Sequence, residues 1–331
     1  MIFATLAEGG RDGSLLVVNR ARSWAVRAGS AAPTLQVLLD DWDRRIDAVR
    51  AISGQLESGS RHDALDLRNV RLTAPLPRAY QFLDGSAYPH HMSVIRQARG
   101  ASMPSDFFEK PLMYQGSADR IIGPTEPILL VQDDAYGVDI EAEIVVVTSD
   151  VPQSVSADEA SKHIRLLGLL NDISLRNLIP PELARGFGFL QGKSANSMAP
   201  FLVTPDEVGE LWDGKLLSGR YECYIRGELI GELDPGADAV FTYPQLIAHA
   251  SRTRELAAGT IIGAGALANA DRKHGCGCIA ELRAREQLAS GTAKTPYLHF
   301  GDELRLEMFD RQGKSLFGAI QQRLVRWPSD I

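Results

Sequence analysis

Gly137-Val138-Asp139-Ile140-Glu141-Ala142-Glu143-Ile144-Val145-Val146-Val147 is the stretch on which the reading of this chain turns. Its β-branched residues predict a strand over residues 138–148. Side chains two apart on a strand share a face, so Glu141 and Glu143 point the same way. Ile140, Ala142, Ile144 and Val146 cover the opposite face. Two adjacent carboxylates repel each other and need a compensating partner if they are buried. Otherwise they are the outward, solvated face of an ordinary strand.

Further short β-type runs, at residues 220–225, 260–263, 278–283 and 303–310, lie between Pro- and Gly-containing turns. Helical signals are few. Residues 156–165 open with Ser156 and Glu159 as a capping box, and residues 244–257 form a second candidate. A doubly wound fold needs regular strand–helix alternation, which is missing here. An antiparallel or mixed β-roll is expected instead. Ahead of it, runs at residues 2–6, 14–19 and 24–27 and a helical pattern through Leu35, Leu38, Leu39, Trp42, Ile46 and Val49 predict a small unit over residues 1–70. Residues 53–61 read as a polar loop.

Other motifs surround the acidic strand. Asp84-Gly85 is followed by Tyr88-Pro89-His90-His91, and Lys110-Pro111-Leu112-Met113-Tyr114-Gln115-Gly116 comes next. Asn171-Asp172 precedes Arg176, then follow Gly192-Lys193-Ser194, Gly259-Thr260-Ile261-Ile262-Gly263 and Ile279-Ala280-Glu281. In this order and from about residue 75 to 325 the chain resembles the fumarylacetoacetate hydrolase family. The resemblance implies an α+β, mostly β fold: a mixed β-roll/β-sandwich catalytic domain over residues 71–331 behind a small N-terminal α/β domain.

It further implies a hydrolase acting on a carbon–carbon bond of a small-molecule diketo or 2-oxo acid, foremost fumarylacetoacetate, in aromatic amino-acid (tyrosine) catabolism. Decarboxylation or hydration of a related acid on the same platform is the alternative, and a non-catalytic metal-stabilised binder is a third. Asp84, Glu141, Glu143 and Asp172 would be metal ligands; being all hard oxygen donors, they suit Mg²⁺ or Ca²⁺. His91 would be the general base, with Glu281 orienting it and Glu286 as the fallback. Lys193 and Arg176 would supply positive charge near the substrate, and Tyr114 and Thr260 would hydrogen-bond its oxygens. Ile179 departs from the hydrolase pattern, which has Gln there, so the acyl part of the substrate stays open. A homodimer is also implied.

Composition excludes other classes. Lys plus Arg number 35 against 42 Asp plus Glu, a formal charge of −7, which leaves no basic excess for coating nucleic acid. The apolar runs fall short of the roughly 20 residues that span a bilayer, so no membrane association is expected. Three cysteines fit a reducing compartment, and a cytoplasmic location is expected. Residues 263–268 match G-x-G-x-x-A, but the turn-like stretch after them excludes a dinucleotide site. His274, Cys276 and Cys278 fall short of a structural zinc set, and buried strand cysteines are expected. Pro180 and Pro181 ahead of Gly186, Gly188 and Gly192 predict a loop that closes over the site and carries Lys193 with it.

Overall fold

The computed structural model describes residues 1–328. The fold is α+β, built on two main sheets. The larger runs, edge to edge, through Leu65–Asp66, Trp24–Arg27, Ser14–Val18, Ile2–Leu6, Leu202–Val203, Ile164–Asn171, Ala142–Thr148, Ile261–Gly263, Phe82–Gly85 and Met113–Gly116. Its neighbours are antiparallel except Ile261–Gly263 with Phe82–Gly85, which pair parallel. Ile2–Leu6 pairs with Leu202–Val203, so hydrogen bonding crosses residue 70 and the first strands extend the same sheet. A five-stranded sheet, Glu228–Leu233, Arg220–Ile225, Glu303–Phe309, Ile320–Arg326 and Ile128–Leu130, packs against it.

The acidic stretch sits in the middle of the larger sheet, buried on both faces. Ile144 and Val146 join the core shared with the five-stranded sheet, including Tyr221, Leu306 and Phe317. Val145 and Val147, on the face of Glu143, join a second core with Phe3, Leu38 and Val49. That core is closed by the helices α1 (Leu35–Asp40) and α2 (Trp42–Glu57). A strand covered on both faces reads as a continuous apolar run, and this one does.

Several local expectations are corrected. The helical pattern continues to Glu57 rather than giving way to a loop at residue 53, because the buried Leu56 extends the apolar stripe. Residues 138–148 form two strands, Val138–Asp139 and Ala142–Thr148, parted at Ile140 and Glu141. After the helix α3 (Pro89–Ala98), the helix expected over residues 156–165 shrinks to α4 (Ala157–Ala160), followed by a 3-10 turn, because Ile164 already belongs to a strand. Ser156 caps it as anticipated, accepting from the Glu159 N–H. A short α5 (Ile179–Leu183) opens the Pro180 segment, and α6 (Tyr243–Ala250) ends before residue 257. The largest error is at residues 278–283, read as a strand. They begin α7 (Ile279–Ser290), whose first turn is capped from a distant strand rather than by a neighbour in sequence. Cys223 is buried on a strand; Cys276 and Cys278 are buried in the approach to α7.

No helix among the described residues is long and apolar enough to cross a membrane.

Candidate active site

The edges of the central strands bring four acids together. Asp84 is the third residue of the strand Phe82–Gly85, Glu141 sits at the break before Ala142, Glu143 follows two residues on, and Asp172 follows Asn171 at the end of the neighbouring strand. One carboxylate oxygen from each lies within 4.8 Å of the others, and all four residues are buried. Asn171 fixes the break by accepting the Glu141 N–H, at 3.1 Å. Gly263 backs the cluster: a Cβ there would fall 2.3 Å from Glu143 Oε2 and 2.8 Å from Asp84 Oδ1. Glycine is therefore required by close approach.

Positive charge reaches only one side of this cluster. Lys193 donates from Nζ to Glu141 Oε2 at 2.7 Å, Asp172 Oδ2 at 2.6 Å and Ser174 Oγ at 2.7 Å. Arg176 donates to Glu141 Oε1 at 2.8 Å and to Asp139 Oδ2 at 2.7 Å. Burial would raise Glu141's pKa, but Lys193 and Arg176 override it and hold that carboxyl ionised. Asp84 and Glu143 have no such partners. Burial first, and the neighbouring carboxylates second, push both well above the ordinary range. Asp172 is raised for the same leading reason, against the pull of Lys193.

The donor set fits a hard divalent cation. Asp84 Oδ1, both oxygens of Glu143 and Asp172 Oδ1 are buried with no hydrogen-bond partner. Orphaned buried acceptors of this kind are costly, and four in one place call for a cation. Every candidate ligand is a carboxylate oxygen, the donor type of Mg²⁺, Ca²⁺ and Mn²⁺ sites rather than zinc sites.

The proton-transfer pair lies across the same cavity. His91 is in the first turn of α3, and its Nδ1 is 2.9 Å from Glu281 Oε2, on the first turn of α7. Burial would raise Glu281's pKa, but the hydrogen bond and charge of His91, with Arg285, hold it below the ordinary carboxylate value. Arg285, one turn on, also donates to Glu281. His90 is exposed, and Glu286 instead holds the turn at Lys294 and Thr295. A cavity of ≈ 450 Å³ connects the two groups, lined at its polar end by Asp84, His91, Tyr114, Glu141, Arg176 and Lys193. Ile95, Leu112, Ile179, Leu183 and Phe189 give the rest a mostly apolar wall, which Ser86, Arg96 and Arg99 interrupt.

One expected role is corrected. Thr260 does not reach the cavity: its hydroxyl donates to Ala257 O at 2.7 Å and accepts from Gln81, which staples a turn. Arg176 lines the cavity with its guanidinium paired to Asp139 and Glu141, so its charge stands near the substrate space while its hydrogen bonds serve the carboxylates. Tyr114 does line the cavity, with its hydroxyl on Asp172. Lys193 needs no loop closure to reach the site, since its ammonium is already buried there. Sequence reasoning passed over Asp139 and Arg285; the i, i+4 spacing of Glu281 and Arg285 was the available signal for the second. The excluded dinucleotide-like turn proves to be a cavity wall through Ala264, Gly265 and Ala266. Gly265 has φ +88, and a Cβ there would meet Gly85 O at 2.4 Å.

The fold and the site define a class: a two-sheet β-roll protein with a carboxylate cluster and a His–Glu pair facing one pocket. Within that class the chain belongs to the fumarylacetoacetate hydrolase family. The description "Fumarylacetoacetate (FAA) hydrolase C-terminal" matches residues 81–325, and "Fumarylacetoacetase N-terminal domain 2" matches residues 1–78. A 2,4-didehydro-3-deoxy-L-rhamnonate hydrolase of Sphingomonas sp. SKA58 is 33% identical over 107 residues, 31% of this chain and 36% of that protein. An oxaloacetate tautomerase of Bacillus subtilis is 28% identical over 204 residues, 60% of this chain and 62% of that protein. The alignments thus span less than two thirds of either relative. Among solved structures, the maleylpyruvate hydrolase of Sphingobium sp. SYK-6, determined with manganese(II) and pyruvate, superposes with a TM-score of 0.67 at 18% identity, covering 99% of this chain and 100% of that one. A 2-hydroxyhepta-2,4-diene-1,7-dioate isomerase of Mycobacterium marinum superposes with a TM-score of 0.59 at 16% identity, covering 98% of each. Relatives in this family are thus hydrolases, isomerases and tautomerases of related acids.

Proposed function

We propose that this chain hydrolyses a carbon–carbon bond in a β-diketone acid, with fumarylacetoacetate the first substrate to test. The observation that carries the proposal is the placement of the His91–Glu281 pair and the orphaned carboxylates on one cavity. Asp84, Glu141, Glu143 and Asp172 would hold a divalent cation, Mg²⁺ or Ca²⁺ by the chemistry of the donors, with Mn²⁺ found in the maleylpyruvate hydrolase. Such an ion supplies Lewis-acid polarisation of the diketone oxygens.

The chain's own residues do the rest. With Nδ1 occupied by Glu281, the other ring nitrogen of His91 is the one free to take a proton from water. The hydroxide so generated adds to one ketone carbon, the bond to the neighbouring carbon breaks, and the proton on His91 passes to the carbanion. Two acids leave; from fumarylacetoacetate they are fumarate and acetoacetate. Lys193 offsets negative charge as it develops, in a pocket whose apolar walls limit competing water. A working homodimer belongs to the same proposal.

A second reading, tautomerisation of a 2-oxo acid, is favoured by Ile179, an apolar residue on the cavity where the hydrolase pattern has Gln, and by the oxaloacetate tautomerase relative. One experiment separates the two. Purified protein with Mg²⁺ or Mn²⁺ is given fumarylacetoacetate, an acylpyruvate and oxaloacetate, while enol absorbance and released acids are followed. Acid release from a diketone supports hydrolysis. Enol–keto conversion without new acids overturns it in favour of the tautomerase.

A further inference from the structure

We infer that Asp139 is a positioning residue that fixes the Glu281–His91 pair relative to the carboxylate cluster, through one carboxylate shared between the first turn of α7 and Arg176. The inference rests on the proposed proton transfer by His91 and adds a residue to it.

Asp139 is fully buried, and both of its oxygens are engaged. Oδ1 accepts the backbone N–H of Ile279 at 2.7 Å, and Oδ2 accepts that of Ala280 at 2.9 Å. These are the first two residues of a twelve-residue helix whose own N-cap, Cys278, makes no side-chain cap. The free N–H groups and the positive end of the helix dipole are thus met by an anion from another strand, 140 positions away in sequence. A local Ser or Asp cap would stabilise α7 equally well but would leave its position relative to the sheet undetermined. A cap from the strand Val138–Asp139 pins the helix to the sheet that carries the carboxylates.

The same Oδ2 also accepts from Arg176 Nε at 2.7 Å, and Arg176 donates its other arm to Glu141 Oε1 at 2.8 Å. From α7 the path continues through Glu281, the third helical residue, to His91 Nδ1 at 2.9 Å. A chain of polar contacts therefore runs from Glu141 to the imidazole, and among the described residues Asp139 links it to the backbone of α7. Rotation of α7 by a fraction of a turn would withdraw Glu281 from His91, so the cap sets the geometry of the base.

The test compares Asp139→Asn with the wild-type holoenzyme. Asn keeps the volume but loses the charge and one acceptor. The expected result is a fall in kcat of about 10–100-fold, the usual cost of losing such a supporting partner, with KM little changed. The His91 Nδ1–H resonance, assigned by its absence in His91→Asn, should shift or vanish. A purely structural role would lower Tm while leaving that resonance and the kcat of the folded fraction unchanged. That outcome overturns the inference. If Asp139→Asn does not fold, Arg176→Lys decides: it keeps the charge but cannot bridge two carboxylates with a planar fork. It touches neither His91 nor Glu281, so a moved Nδ1–H signal supports the coupling and an unmoved one refutes it. Should wild type cleave no diketo acid, the proposed function fails while the resonance still judges Asp139.

Discussion

The carboxylate cluster and the His91–Glu281 pair face the same cavity but are built in opposite ways. The pair is complete: Glu281 accepts from Arg285 with one oxygen and meets His91 Nδ1 with the other, so neither oxygen is left bare. The cluster is incomplete, since Lys193 and Arg176 serve Glu141 and Asp172 while Glu143 keeps two bare oxygens. The elements differ as well. The cluster hangs on strands whose ladders fix each residue, whereas the pair spans two helices that meet only through side chains and packing. A half-satisfied site on a rigid sheet is a receptor for something from outside. A satisfied pair on helices is a device that works with the groups it has.

The largest effect should come from removing the incomplete half. Replacing Glu141 and Glu143 together by Ala should abolish divalent-metal-dependent turnover and metal binding measured by calorimetry; full activity of the double mutant after chelation would break the comparison outright. Next is the complete half. His91→Ala should lower kcat by about 10²–10⁴-fold, the ordinary contribution of a general base, and leave metal affinity nearly intact. His90→Ala should change neither, because His90 is exposed.

Acid titration sharpens the contrast further. Asp84 and Glu143 have folded-state pKa values above their unfolded ones, so the folded chain without metal binds more protons in that interval. Their contribution to stability therefore falls as pH rises through the window above the usual carboxylate value of about 4, and recovers on acidification. Glu281, with its lowered pKa, works in the opposite sense, and its contribution is lost as pH falls below the ordinary carboxylate range. Melting curves of chelated protein should accordingly show Tm rising from neutral to mildly acidic pH, and saturating Mg²⁺ should remove the trend. A chelated protein whose Tm is flat across this range would mean that the cluster is not strained.

Smaller effects are expected away from both halves. Thr260→Val should leave kcat and KM unchanged while lowering Tm by a few degrees, the loss of about 1 kcal/mol of net hydrogen bonding in a turn. The smallest concerns the loop after α5, where Phe187 and Leu190 are 83% and 81% exposed although Phe189 packs on Tyr114. Glu182 ties the far end of this loop by accepting the N–H groups of Gln191 and Gly192. Limited proteolysis should cut between Pro181 and Gly192, and a diketone analogue with Mg²⁺ should protect the site. Equal cutting in both states would show that the loop takes no part in closure.

Part of the acid cluster was legible from local strand geometry, while Asp84 and Asp172 joined it only through the family resemblance in the order of their motifs. The two-residue period placed Glu141 and Glu143 on one face, and hard oxygen donors pointed to a hard cation. The strands at residues 2–6, 24–27 and 220–225 were legible for the same reason. What the sequence could not decide was whatever depends on groups far apart along the chain. Residues 278–283 read as a strand although Ala280, Glu281, Leu282 and Arg283 favour a helix; the carboxylate of Asp139, brought from another strand, caps the helix they open. Thr260 fits a substrate-binding pattern, yet its hydroxyl turns back to Ala257. Arg176 looks like a free cation until folding sets it between Asp139 and Glu141. Residue type and spacing determined which chemistry the chain carries; long-range capping and ion pairing, which no local period encodes, decided which groups are free to perform it.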